Sequence, residues 1–425
     1  MTTETTPAPA PAPAPPEEHD VAGDLRGAWT DYWDRVRGGD VGALPAVLGL
    51  VALVIVFSVM RASTFLTTFN FADLINQSAA VIVIAMGLVF VLLLGEIDLS
   101  VGYAAGTSAA ILAVTLTQHH WPWPLALVAS LIVGAAIGIV IGLLVARLRI
   151  PSFVVTLAFF LGLQGVQLLI IGDGGTIGIG DPTLLAIMND NLSVVLGWTL
   201  FLVVVAAYGA LTFRRIATRR KAGLPAEPVT VWAAKLIALA VVLGITTFML
   251  NQERSRHPNI SSIKGIPVVV PVILVLLVGL TFLLGRTALG RHIYAVGGNA
   301  EAARRAGIDV AGVRIFCFIL CSTLAAVAGV LIASRDNSVS PSTGGSLTTL
   351  SAVAAAVIGG TSLFGGRGLV RDAVLGGLVL AVINNALPLI TSQSGITFIV
   401  TALVLLFAAS VDAISRRRAA SSGRV

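Results

Sequence analysis

Between Arg61 and Arg147 the chain carries neither lysine nor arginine, and long apolar runs follow one another on both sides of that interval. As a helix, about 20 apolar residues cross the ~30 Å hydrocarbon core of a bilayer. Twelve such runs can be drawn, at roughly 44–60, 75–95, 99–117, 123–146, 151–171, 192–213, 230–250, 267–285, 311–333, 347–360, 369–390 and 396–414. The chain is 56% hydrophobic and 11% charged, with a mean hydropathy of +0.95, beyond what a soluble domain of this length reaches. Frequent Gly and Ala inside the runs permit close helix packing, and the alternating ten-residue segments of a transmembrane β-barrel are absent. The sequence predicts an all-α, polytopic membrane protein with about ten to twelve transmembrane helices. The short run at 347–360 and the acid-bearing turn at 95–100 are where a broken or re-entrant segment would fall.

The net charge of +6 does not point to nucleic acid, because the basic residues sit in short clusters beside apolar runs rather than along one face. They act as topology signals. With a cytoplasmic start, strict alternation puts Arg147–Arg149, Arg214–Lys221, Arg286–Arg305, Gly359–Asp372 and Arg416–Arg418 all inside, along with both termini. The polar stretches Gly172–Asn191, Asn251–Gly265 and Ser334–Ser346 then lie outside. Residues 1–22 hold a Pro/Ala tract that cannot bury a core, with no cleavable signal peptide, and 23–40 read as an amphipathic helix on the interface or on the protein. A single transmembrane domain spans 41–415, with an inserted hairpin near 192–250 and a basic tail at 416–425.

A polar segment at 286–308 separates two apolar runs. Its core reads as one short capped helix: Asn299 accepts from the first free amides, Glu301 faces the positive end, Arg304 and Arg305 the negative end, and Gly307 closes it in the left-handed conformation. A two-turn helix is marginal in water and an i,i+4 pair such as Glu301–Arg305 adds only ~0.3 kcal/mol. The segment therefore needs packing, which a soluble subunit could supply.

Four further stretches could carry chemistry. Glu96 and Asp98, with Ser100, interrupt apolar sequence; a carboxylate at the bilayer centre costs roughly 3 kcal/mol or more, so the turn is either capped near a membrane face or part of a translocation path or gate. Ser338–Gly345 is rich in hydroxyls around Pro341. Ile358–Gly368 carries five glycines, including Gly359 and Gly360 before Thr361, without the spacing or the Lys of a phosphate-binding loop, which favours close packing or a hinge. Asn384 and Asn385 place two amides in a late apolar run, for contact with a polyol or between helices. Cys317 and Cys321 read as packing residues.

Catalysis finds no support. Gly178-Ile179-Gly180-Asp181 matches a Gly-x-Gly-Asp pattern of intramembrane proteases without any Tyr-Asp partner, and the phosphate-binding loop, zinc and serine-nucleophile motifs are missing. The chain is no enzyme by itself, calls for no cofactor or metal, and cannot hydrolyse ATP.

Gly95–Gly102, Gly290–Ile308, Ser340–Gly344 and Val357–Leu363 resemble, in order, the motifs of the permease subunits of bacterial monosaccharide ABC importers, over about residues 44–415. The hairpin near 192–250 is similar to the longer xylose-type members. Glu96 stands where ribose-type members often carry Gly, and Arg305-Ala306 where others carry a small or polar pair. The resemblance implies a multi-pass protein of the bacterial inner membrane that passes D-xylose or a related pentose. It implies as partners a second permease copy, cytoplasmic ATP-binding subunits and an extracytoplasmic sugar-binding protein. It makes Gly298, Asn299, Glu301, Ala302, Ala303, Arg304, Gly307 and Ile308 the coupling segment, and places Glu96, Asp98, Ser100, Asn384 and Asn385 at the path or gate. The competing reading is a proton-coupled secondary transporter using Glu96 and Asp98.

Overall fold

The computed structural model describes residues 44–421 except 256, 258, 260 and 261, together with Gly27 and Gly42; the Pro/Ala tail, the rest of the 23–40 segment and the last four residues lie outside the described residues. Each of the twelve apolar runs falls within one helix, to within a few residues at its ends. These are α1 (Leu44–Phe65), α2 (Thr68–Leu93), α3 (Val101–Thr117), α4 (Trp123–Ala146), α5 (Ser152–Ile171), α7 (Val194–Lys221), α8 (Val229–Leu250), α9 (Val269–Arg286), α12 (Val310–Asp336), α13 (Ser346–Gly359), α14 (Val370–Ala386) and α15 (Ser394–Ser421). Among the described residues, nine helices are long and apolar enough to span, with α14 counted through Leu389. The apolar parts of α3, α13 and α15 are shorter.

Two of the short ones, α3 (17 residues) and α13 (14 residues), are short for one reason: each begins inside the bundle. Leu94–Ser100 runs as non-helical chain before α3, and Ser340–Gly345 before α13. The two N-termini meet. The Gly102 amide donates to Thr349 Oγ1 at 3.0 Å, so a free first-turn amide of α3 is capped from α13. The pair has opposite sense. Chain enters the interior after α2 from the end that carries Gly95 and Gly297, and after α12 from the end that carries Asn337. Around them α2 packs on α14 as α12 packs on α4, the arrangement of an inverted-topology repeat.

The core lies in α2, α3, α12, α13 and α14. On α4, Gly134, Gly138 and Gly142 form a stripe on which a Cβ would stand 2.6 Å from the Ala326 Cβ, 2.5 Å from the Phe318 carbonyl and 2.9 Å from the Ile315 Cα, so α4 and α12 touch backbone to backbone. Cys317 and Cys321 are free and buried, and the Cys321 backbone lies against Gly87 of α2, as expected of packing residues. The inserted hairpin is peripheral: α7 packs on α8, where Trp232 Nε1 donates to Thr212 Oγ1 at 2.8 Å, and both turn apolar side chains outward.

One end of the bundle gathers α6 (Pro182–Asn189) and a two-stranded antiparallel ribbon, β1 (Ile177–Gly178) with β2 (Ser338–Val339). Asp181 caps α6 by accepting from the Thr183 and Leu184 amides at 2.9 and 3.1 Å, which gives the Gly-x-Gly-Asp match a purely structural role. The connection after α8 is tied by Glu253, whose carboxylate accepts from the Ser262 hydroxyl at 2.7 Å and the Ser255 and Ile263 amides. Those bonds, the Ser262 hydroxyl first, hold Glu253 down to about 2. A depressed carboxyl stabilises above its ordinary value of 4.5 and loses that contribution as pH falls towards 2. Protease nicking of 252–265 should therefore rise on acidification between pH 5 and pH 2, and Glu253→Gln should show the raised nicking at neutral pH.

Candidate functional site

At the opposite end, α9 is followed by two short helices, α10 (Ala288–Gly298) and α11 (Ala300–Arg305). Thr287 caps α10 by accepting from the Gly290 amide at 3.1 Å. Asn299 leaves helical geometry (φ −157, ψ 102), ends α10, and caps α11 by accepting from the Glu301 and Ala302 amides at 3.0 and 2.9 Å. Glu301 pairs with Arg304 at 2.8 Å and with Arg305 at 3.3 Å. Gly307, at φ +83, closes the helix: its amide reaches the Arg304 carbonyl and the Ile308 amide the Ala303 carbonyl, both at 3.0 Å. The capped helix read from the sequence is present, preceded by α10, which it did not anticipate.

Only one side of this unit is anchored. Ile293, Val296 and Ala303 are buried, with Ile308 packed on the core, whereas Gly298, Asn299, Glu301, Ala302, Arg304 and Gly307 are exposed. The anchor meets the break in α2. A Cβ on Gly297 would lie 1.9 Å from the Leu93 carbonyl and 3.0 Å from the Gly366 amide, so α10 ends against the last turn of α2 and the glycine loop 360–368. Gly366 N donates to Leu93 O at 2.9 Å, and the Tyr294 hydroxyl to Gly368 O at 2.7 Å. Burial, then the nearby Asp372 charge, pushes the Tyr294 hydroxyl above its usual range and keeps it a donor.

From that junction the chain climbs to the half-helices. Ile97 is held by the first turns of α5, its amide on Ser152 Oγ and its carbonyl on Thr156 Oγ1, both at 3.3 Å. Asp98 and Ser100 are fully buried; Asp98 Oδ1 accepts from the Ser100 amide at 2.9 Å and hydroxyl at 2.6 Å, while Oδ2 has no partner among the described residues. Asp98 thus shapes the turn before α3 from inside the protein. Glu96 lies elsewhere, half-buried at the α10–α11 end and 3.2 Å from Arg314 of α12.

The remaining candidates divide. Thr343 and Ser340 close a turn that Gln167 of α5 grips through both carbonyls, at 3.0 and 2.9 Å, with Pro341 half-buried on it. Gly359 is a packing residue, since its Cβ would stand 1.8 Å from the Asp372 carbonyl; Gly360, at φ +120, ends α13, and the Thr361 amide returns to Ala356 O at 3.0 Å. Asn385 is buried, but Asn384 is exposed, which corrects the expectation of two buried amides. Consecutive helical residues point about 100° apart and cannot share a face. Gly102, Thr349, Gly297, Tyr294 and Arg314 belong to the same connected path and were missed. Arg314 left a signal, a lone cation inside an apolar run.

A family model described as "Branched-chain amino acid transport system / permease component" matches residues 70–409. The xylose transport system permease protein of Escherichia coli is 34% identical over 374 residues, covering 88% of this chain and 92% of that protein. Its Haemophilus influenzae counterpart is 31% identical, covering 88% and 98%, and the ribose import permease protein of Escherichia coli is 30% identical, covering 87% and 92%. No solved structure matches. The ordered motifs, the twelve apolar helices and the alignment over nearly the full length of each relative agree, and the chain belongs to the permease family that holds these xylose and ribose proteins.

Proposed function

We propose that this chain is the transmembrane subunit of an ABC importer that carries a monosaccharide, D-xylose or a related pentose, across the inner membrane, driven by ATP hydrolysis in partner subunits. The observation that carries the reading is the α10–α11 unit: a polar, capped, exposed helix pair seated on the end of the interrupted helix α2. Such a unit is built to be pushed. Force on its exposed face passes through Gly297 to Leu93, along Leu94–Ser100, and into the paired N-termini of α3 and α13. Two half-helices that begin within the bundle form an element that can shift without unfolding the spans around it.

The basic clusters favour a cytoplasmic side for that unit, where ATP-binding subunits would dock, and leave the ribbon end to a sugar-binding protein outside. Asn384, an amide exposed on an otherwise apolar helix, is unfavourable towards lipid. A sugar path shared with a second copy of the chain would satisfy it. The identities of the relatives favour xylose over ribose only slightly, so the pentose is assigned from the similarity and the long hairpin together. Reconstitution in liposomes with the ATP-binding subunits and binding protein should give D-xylose uptake that requires ATP and survives a proton uncoupler. Uptake by the permease chain alone, driven by a proton gradient, would instead establish the secondary-transporter reading, and preference for D-ribose would reassign the sugar.

A further inference from the structure

A cavity of about 530 Å³ opens beside the coupling helix. Three arginines line it, Arg149 in the α4–α5 connection, Arg304 of α11 and Arg314 of α12, together with Glu96 and Asp309, which leaves an excess of one positive charge. The carboxylates are already engaged: Glu96 holds Arg314 at 3.2 Å, and Asp309 accepts from the Gly312 amide at 3.0 Å to cap α12. Three donors stay open. Arg149, held at φ +58, has no ion pair or hydrogen bond among the described residues, the buried Arg314 Nε has no acceptor, and the Ala311 amide in the first turn of α12 has none either. Among the described residues the Arg304 side chain is held by an exposed pair with Glu301 alone, which is weak enough to be redirected.

Arginines from three elements and a helix N-terminus around one space suit an anion with several oxygens. A phosphate monoester carries close to two negative charges at neutral pH and three acceptor oxygens. The cavity is much larger than a phosphate ion, and Val145, Ile150 and Pro151 give it an apolar wall for a carbon skeleton. We propose that this cavity binds a phosphorylated sugar. The inference rests on the sugar-importer reading, which puts the cavity on the cytoplasmic side, where a kinase reaction converts an imported sugar into its phosphate. An occupant held by Arg149, Arg314 and Arg304 together would tie α11 to the α4–α5 connection and to α12. Import would slow as its phosphorylated product accumulates.

The test uses the complete complex in lipid nanodiscs without nucleotide, with radiolabelled D-xylose 5-phosphate as the probe. Saturable binding is expected, weakened at least about tenfold by Arg149→Ala, the loss of one charge-assisted contact. Arg149→Lys should retain part of it as a point charge. Unlabelled D-xylose should not compete, and inorganic phosphate should compete only weakly. Equal binding in wild type and Arg149→Ala, or no saturable binding, overturns the site. Competition by inorganic phosphate as strong as by the sugar phosphate overturns the sugar assignment. Absence of ATP-driven uptake in the same complex would strike the importer reading alone, because binding is read without transport.

Discussion

Gly102→Ala should leave little folded protein in the membrane and no measurable uptake. A Cβ at this position would stand 2.3 Å from the Gly345 carbonyl, 2.3 Å from Thr349 Oγ1 and 2.7 Å from the Gly344 carbonyl. Two of the three obstacles are backbone, so no rotamer change relieves them. The third is the hydroxyl that accepts from the Gly102 amide, and moving it uncovers a buried donor. Overpacking costs typically 1–3 kcal/mol where side chains can yield; here both half-helix N-termini must separate, and more than about 3 kcal/mol is expected. Proteins hold only about 5–15 kcal/mol in all. Gly279→Ala on α9 is the control, because nothing stands within 4 Å of its Cβ; it should change stability by less than about 1 kcal/mol. Membrane abundance and thermal unfolding in detergent read both variants. Normal abundance and uptake in Gly102→Ala would mean that α3 and α13 do not meet as described.

The spans were legible because desolvating a backbone in hydrocarbon leaves a long helix as almost the only solution, and twenty apolar residues announce it. The coupling helix was legible for a different reason: caps are local chemistry, and Asn299, Glu301 and Gly307 each act within a few residues. What could not be read were contacts between distant segments. Gly102 and Thr349 are 247 residues apart, and nothing in either neighbourhood names the other. The same holds for Gly297 against Leu93 and for Glu96 with Arg314. The frequency of Gly inside the runs pointed to close helix packing, but not to the stacking of Gly134, Gly138 and Gly142 on α12. Asp98 shows the limit most clearly: an acid between apolar runs fits both a capped surface turn and a buried one, and only its complete burial decides.

Glu301→Lys should abolish coupled uptake while leaving the permease inserted and folded, and the contrast with Gly102 lies in what surrounds the residue. The Glu301 side chain is 56% exposed, and its ion pairs with Arg304 and Arg305 are those of an open surface. Losing such pairs costs a folded protein ~1 kcal/mol at most, and a lysine at the positive end of a helix adds a similar penalty confined to the first turn. The Ala303 and Ile308 anchors and the Gly307 closure are untouched, so α11 stays in place with a reversed charge on its outer face. If ATP-binding subunits grip that face, a like charge brought into a complementary contact costs several kcal/mol, and a loss of about 3 kcal/mol is more than a hundredfold in affinity. Uptake in vesicles should fall by at least tenfold, and co-purification of the ATP-binding subunits should weaken. Normal membrane abundance with normal uptake and normal co-purification would show that α11 is not the gripped surface. Reduced abundance would instead move Glu301 from a contact role to a folding one. A charge reversal in the ATP-binding subunit that restores uptake to Glu301→Lys, but not to Gly102→Ala, would separate force transmission at the surface from the half-helix junction that receives it.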